Sequence, residues 1–300
     1  VLVCNSKINL LNLSVMKVDL HCHSLASDGA LSPQHVLERA HSNGVDMLAL
    51  TDHDTVAGLA EAGEAATKLG LEFVAGIELS TQWSGVGIHV VGLNIDPHNA
   101  DLESALAGQS LKRVERAQLI GKKLAKLGFE NCYEGAKKIA GDSELGRPHF
   151  ARYMVAQGYV EDHSTAFNKY LGAGKVGDVK SQWPEIDEVV NWIHAAGGFA
   201  VLAHPDKYKL TRSKLRRLLS YFKEVGGDAM EVVSGSQNKD VTDYFARLCD
   251  EFDFYASCGS DFHNPNTQWC DLGRIVPLPK VCRPVWDLWS APANKETLTQ

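Results

Sequence analysis

Short apolar runs of strand length alternate with stretches of helical periodicity along most of this chain, and that alternation limits the folds open to it. Ser32-Pro33 offers an N-cap hydroxyl and a proline at the first helical position, and Val36, Leu37 and Ala40 keep helical spacing until Gly44. Residues 45–50 form a compact apolar run, and the helix expected over 57–69 again stops at a glycine. Strands are expected over 71–80 and 88–93. From Pro97 to about Gln182 the periodicity is helical, with segments at 106–127, 133–140, 148–156 and 164–171, which reads as an inserted helical subdomain. The alternation resumes at Pro184, with helices to Ala196 and over 213–225 and 241–252, and strands over 199–203, 229–233 and 254–258. Seven alternations predict parallel strands joined by helical crossovers.

The chemistry-bearing residues gather at the strand ends. His21 and His23 lie two apart on an extended stretch and so project from one face, where two imidazoles can share a metal ion. Asp28-Gly29 follows as a turn with a free carboxylate. Asp52 and His53, Glu78, His204, and Asp261 with His263 all fall at or just past the ends of expected strands, and His89 lies inside one. In a β/α barrel that rim is where loops converge and active sites form. The set exceeds the needs of one ion, so two or three divalent metals with bridging carboxylates are expected. Imidazole and carboxylate without thiolate suit zinc, manganese or iron. Such clusters generate hydroxide near neutral pH and neutralise the oxygens of a phosphate under in-line displacement. No phosphate-cradling glycine motif is present, which argues against a kinase or ATPase.

Composition narrows the class further. Three hundred residues, 44% of them apolar, can bury a full-sized core. Seven cysteines include no C-x-x-C pair, which argues against a disulfide framework and for a reducing, cytoplasmic compartment. No apolar run approaches the ~20 residues that span a bilayer, so no membrane association is expected, and no obligate protein partner is evident. The net charge of −7 hides an asymmetry: residues 97–182 carry 13 Lys+Arg against 10 Asp+Glu, while the remainder carries 17 against 27. An acidic remainder is what a carboxylate-rich metal site would give. Met16 precedes the first strand directly, so residues 1–15 are expected to be a non-native leader, and residues 291–300 a tail.

D-L-H-C-H-S-x-x-S-D-G from Asp19, A-L-T-D-H-D at 49–54, G-I-E-L-S at 76–80, L-A-H-P at 202–205 and G-S-D-F-H at 259–263 together resemble the polymerase and histidinol phosphatase (PHP) family. Within it, the insertion and residues 146–152 look most like the bacterial branch of ribonuclease AM and the 3′,5′-nucleoside bisphosphate phosphatases. The resemblance runs from Met16 to about Trp289. It implies an α/β fold, a distorted seven-stranded (β/α)7 barrel over 16–96 and 183–290 with the helical insertion at 97–182, and a trinuclear metal site. Matched motif by motif, His21, His23, Glu78 and Asp261 hold one ion, Glu78 bridges to a second held by His89 and His204, and Asp28, His53 and His263 hold the third. Asp28 stands where some relatives carry histidine, which favours a harder metal such as Mn2+ over Zn2+ or Fe2+.

Arg147 and His149 in G-R-P-H-F and Lys175 in G-A-G-K lie in the insertion, where they are expected to clamp a second phosphate or the nucleotide backbone. Relatives are expected to carry a tyrosine and a proline after this lysine, where the chain has Asp178 and Lys180. Trp183 reads as core, with base stacking as its functional alternative. His35, His41, His98, His163 and His194 match no metal motif, Cys22 reads as core, and Ser24 and Ser260 read as hydrogen-bond partners of the site. The implied activity is metal-dependent phosphoester hydrolysis of 3′,5′-bisphosphonucleotides and short RNA from the 5′ end, with Asp261, His204 and His263 catalytic. The alternatives are a histidinol-phosphate-type phosphatase and a non-catalytic PHP module that binds nucleic acid.

Overall fold

The computed structural model describes residues 16–180, 183–267 and 270–290, so the expected leader and tail lie outside the described residues. Chain order is β1 (Val18–Asp19), α1 (Pro33–Ser42), β2 (Met47–Leu50), α2 (Leu59–Leu69), β3 (Glu72–Trp83), β4 (Val86–Leu93), α3 (Ala100–Ala125), α4 (Cys132–Ala140), α5 (Arg147–Ala156) and α6 (His163–Ala166). It continues with α7 (Ile186–Ala195), β5 (Phe199–Leu202), α8 (Arg212–Glu224), β6 (Ala229–Ser234), α9 (Lys239–Glu251), β7 (Tyr255–Gly259) and α10 (Asp287–Ser290). After α6 the chain widens into a π-helical turn, Phe167–Leu171. The caps are those the sequence announces: the Ser32 hydroxyl accepts from the His35 N–H, and Gly70 ends α2 in the left-handed conformation.

The seven strands form one sheet in sequence order, and its two edges meet. The Leu20 N–H donates to the Cys258 carbonyl at 2.9 Å, the Asp261 N–H to that of His21 at 2.8 Å, and the His23 N–H to that of Phe262 at 2.9 Å. Closure needs a glycine, because a Cβ on Gly259 would lie 2.2 Å from the His21 Cβ. The result is a nearly closed α/β barrel.

One expectation is corrected here. β4 runs antiparallel to both β3 and β5, so the strands are not all parallel. Ser84 and Gly85, both at positive φ, are the only residues between β3 and β4, and a two-residue connection of that conformation makes a hairpin. The hairpin also prolongs β3 to Trp83, so Glu78 lies within its strand rather than at the end. His89, opposite Ser80 in the register, still faces the rim because its strand is reversed.

Two apolar cores share the load. The larger packs the barrel strands against α1, α2, α7, α8 and α9, and the smaller lies among residues 117–179. Helix α3 serves both, with Leu102 in the first and Ala117, Ile120 and Leu124 in the second.

Candidate metal centre

Nine side chains from strands and strand ends cluster around one of their number, Glu78, which is fully buried at the middle of β3. Its Oε2 lies 3.3 Å from the Nε2 atoms of both His21 and His23 and 2.9 Å from His53 Nδ1. Its Oε1 lies 2.8 Å from His89 Nδ1 and 2.8 Å from His204 Nε2. Asp261 Oδ1 stands 3.6 Å from His21 Nε2 and 3.4 Å from His23 Nε2. Asp28 closes the other side, 3.3 Å from His263 Nε2 and 3.8 Å from His53 Nε2. All nine metal-ligand candidates of the sequence thus meet. Donor atoms within 4.8 Å of one another fall into four overlapping groups: His23, Asp28, His53 and His263; His21, Glu78 and His204; His21, His23 and Asp261; and His53, Glu78 and His89. His21, His23 and His53 therefore each belong to two groups, where motif matching gives each a single ion.

Divalent metals fit this arrangement. Asp28 Oδ1, His53 Nδ1 and Glu78 Oε2 are buried with no hydrogen-bond partner among the described residues, which is costly unless a cation takes their lone pairs. The electrostatics point the same way. Burial resists ionisation of Glu78, yet the imidazoles of His53, His89 and His21 outweigh it and hold the carboxyl well below its ordinary range. Asp28 is likewise held low, by His263 and His53 against burial, and Asp261 by Lys207. Burial and the neighbouring His263 and His53 push His23 down to about 3, leaving it a neutral donor. Asp28 draws His263 up to about 9 against burial.

Several groups around the ligands, most of them buried, escaped the sequence reading. Glu231 Oε1 accepts from His21 Nδ1 at 2.5 Å and Oε2 from the His204 N–H at 2.7 Å, which turns the His21 Nε2 lone pair inward. An acid inside the apolar run A-M-E-V-V was the available signal. Lys207 Nζ donates to Asp261 Oδ2 at 2.5 Å. On α3, Arg113 Nε donates to Asp54 Oδ2 at 2.7 Å and Gln109 Nε2 to the Ser80 carbonyl at 2.7 Å. Both are buried on the stripe that carries Leu102 and Ala117, and a polar residue on such a stripe marks a buried polar contact. Asp52 turns away from the ligands and accepts from Ser24 Oγ and Ser27 Oγ at 2.6 Å each, fixing the loop between His23 and Asp28.

The insertion presses guanidinium groups toward the Asp28 side. Burial and the like charges of Arg147 and Arg113 lower Arg116 to about 9. Arg113 and Arg116 both stack on the half-exposed Trp183 ring, 5.6 and 5.9 Å from its centroid. Arg147 donates to the Leu171 carbonyl at 3.0 Å and pairs with Asp178 at 3.7 Å. His149 is buried and accepts the Gly146 N–H at Nδ1, capping α5, and burial lowers it to about 4. Arg152 reaches back to the Gly29 carbonyl at 2.9 Å. Lys175 lies exposed on the turn after residue 171, and its side chain meets no ion-pair partner among the described residues. The remaining histidines stay outside the cluster: His35 bonds Ser32 Oγ, and His194 bonds Asp228.

The family model described as "PHP domain" matches residues 19–232. A Haemophilus influenzae protein named 5′-3′ exoribonuclease is 47% identical over 271 residues, covering 90% of this chain and 98% of the relative. A Chromobacterium violaceum protein named 3′,5′-nucleoside bisphosphate phosphatase is 44% identical, covering 90% and 95%. A solved structure from Chromobacterium violaceum, described as an amidohydrolase with bound sulfate and no metal, superposes with a TM-score of 0.86 at 42% identity, covering 91% of this chain and 96% of that one. A Bifidobacterium adolescentis structure described as a metal-dependent phosphoesterase gives 0.75 at 26% identity, covering 92% and 95%. With the family model spanning more than half its length, and the expected barrel and ligand motifs in place, the chain belongs to the PHP family.

Proposed function

We propose that this protein is a divalent-metal-dependent phosphoesterase acting on phosphorylated nucleotides, specifically 3′,5′-bisphosphonucleotides and short RNA taken from its 5′ end. The observation that carries the reading is the clustering of nine imidazole and carboxylate groups, Glu78 at their centre, with several buried atoms unpartnered. The activities for which the relatives are named support the substrate class. His21, His23, Glu78 and Asp261 would hold one ion, Glu78 with His89 and His204 a second, and Asp28, His53 and His263 a third. Asp28 in that set favours Mn2+. Divalent metals bound there supply Lewis acidity and a hydroxide at neutral pH.

The chain's own groups divide the remaining work. Arg147, with Arg113 and Arg116 behind it, neutralises the phosphate that is not being cleaved, and His149 fixes the helix start that presents Arg147. Lys175 adds a mobile positive charge from its exposed turn. His204 and the more exposed His263 would assist the leaving oxygen through the ions they hold, while Asp261 pairs with Lys207. A cytoplasmic location suits Cys22, Cys132, Cys249, Cys258, Cys270 and Cys282, all free. Among the described residues no helix is long and apolar enough to cross a membrane.

The test is turnover with Mn2+ on a 3′,5′-bisphosphonucleotide, 5′-phosphorylated RNA and histidinol phosphate. Hydrolysis of the first two is expected, and preference for histidinol phosphate or no turnover would overturn the reading. Arg147→Ala should raise KM for the bisphosphonucleotide at least tenfold more than for a generic aryl monophosphate. Equal effects on both would remove Arg147 from the phosphate site.

A further inference from the structure

On the Asp261 side of the cluster the barrel mouth holds a second concavity of about 410 Å³, within the range that takes small-molecule ligands. The loops after β5, β6 and β7 line it, including Lys207, Ser234, Ser236, Gln237 and Thr267, and none of its lining residues belongs to the insertion. Asp261 and His263 belong both to this cavity and to the metal centre, so a group attached to a phosphorus at the centre reaches it directly. Ser234 lines it with a hydroxyl that is 3% exposed as a residue and has no hydrogen-bond partner among the described residues. A buried hydroxyl left unpaired costs stability and marks a place where a ligand supplies the missing partner.

Resting on the reading above, we infer that this cavity receives the second nucleotide of an RNA substrate, the one on the 3′ side of the scissile phosphate. A bisphosphonucleotide and a 5′-phosphorylated RNA differ at the reacting phosphorus in one respect. The bisphosphonucleotide carries only oxygens there, whereas the RNA carries a second nucleoside through O5′. Hydrolysis from the 5′ end adds the oxygen of water to phosphorus and breaks the P–O3′ bond. O3′ takes a proton, a 5′-mononucleotide leaves with a free 3′-hydroxyl, and the phosphate stays on the second nucleotide as its new 5′-phosphate. That second nucleotide is thus attached to phosphorus throughout the step and needs room beside the ions, away from the guanidinium wall that holds the first 5′-phosphate. The cavity is the space that meets both conditions. Its described lining includes serine, threonine, glutamine and lysine side chains, which suit sugar hydroxyls and a phosphate.

The experiment compares kcat/KM for a 5′-phosphorylated dinucleotide (pNpN) and the matching bisphosphonucleotide (pNp) in three proteins: wild type, Ser236→Trp, which fills the cavity from an exposed position, and Ser234→Ala. The pNpN to pNp ratio should fall at least tenfold in Ser236→Trp and several-fold in Ser234→Ala, mainly through KM for pNpN. Turnover of pNp by each variant reports that its metal centre is folded, and if Ser236→Trp does not fold, the Ser234→Ala ratio decides alone. A ratio unchanged in the variants overturns the inference while leaving the phosphoesterase reading intact. Failure of wild type to hydrolyse pNp overturns that reading instead.

Discussion

At the scale of single residues, the side chains behind the ligands decide how well the ligands work. Glu231 holds two of them, His21 through its ring and His204 through its backbone N–H. Glu231→Gln keeps the shape but gives up one of the two carboxylate acceptors and weakens the basicity of His21. Partners of this kind typically contribute 10–100-fold to metal affinity. Calorimetric titration with Mn2+ should therefore show affinity at least about tenfold weaker in the variant, and equal affinity would assign Glu231 a purely structural place. Most of the nine candidate ligands were legible because they are polar residues at or just past the end of an apolar run, where chance seldom puts histidine. Glu231 sits inside such a run, where the same polarity reads as an oddity of the strand until the fold shows what it faces.

Among elements, α3 makes the decisive contact between the insertion and the barrel. Arg113 and Gln109 reach across to Asp54 and Ser80, and the Ser80 N–H also donates to Asp54 at 2.7 Å. Asp54 follows the ligand His53 directly, and its own N–H donates to the Glu78 carbonyl. Arg113→Met would leave the Asp54 carboxylate buried without its counter-charge, at a cost of about 3–5 kcal/mol. Burial raises the Asp54 pKa, but Arg113 and the Ser80 N–H outweigh it, so the folded value lies below the ordinary one. The stabilisation from this pair is accordingly complete above the unfolded value near 4 and is lost as pH falls through the folded one. Denaturant unfolding should thus show the Arg113→Met deficit in full at pH 7 and reduced below about pH 4. A deficit independent of pH would place its origin in lost packing. The strand order and nearly every helix were legible from periodicity and caps, whereas the direction of β4 was not. Ser84-Gly85 between two runs of strand character is a hairpin signal, and the strand and helix alternation around it drew the reading toward crossovers. Arg113 and Gln109 were hidden for another reason, since a helix predicted as part of a separate insertion offers no hint that its polar residues face a barrel.

Over the whole molecule, the metal centre is also a structural keystone, because buried carboxylates, imidazoles and unpartnered atoms from β3, β4 and the ends of β1, β2, β5 and β7 meet there. Ions that bind only the folded state stabilise it by mass action, by about 2.7 kcal/mol at a concentration one hundred times Kd. Adding Mn2+ to chelator-treated protein should raise Tm progressively with concentration, and a Tm indifferent to Mn2+ would argue against a folded-state site. Helix α3 carries a different consequence. Because one continuous helix is rooted in both apolar cores, neither can open while the other keeps its turns intact. The amide hydrogens along α3 should exchange as a single cooperative block, so that the guanidiniums of Arg113 and Arg116 and the candidate metal ligands are gained and lost in the same unfolding event.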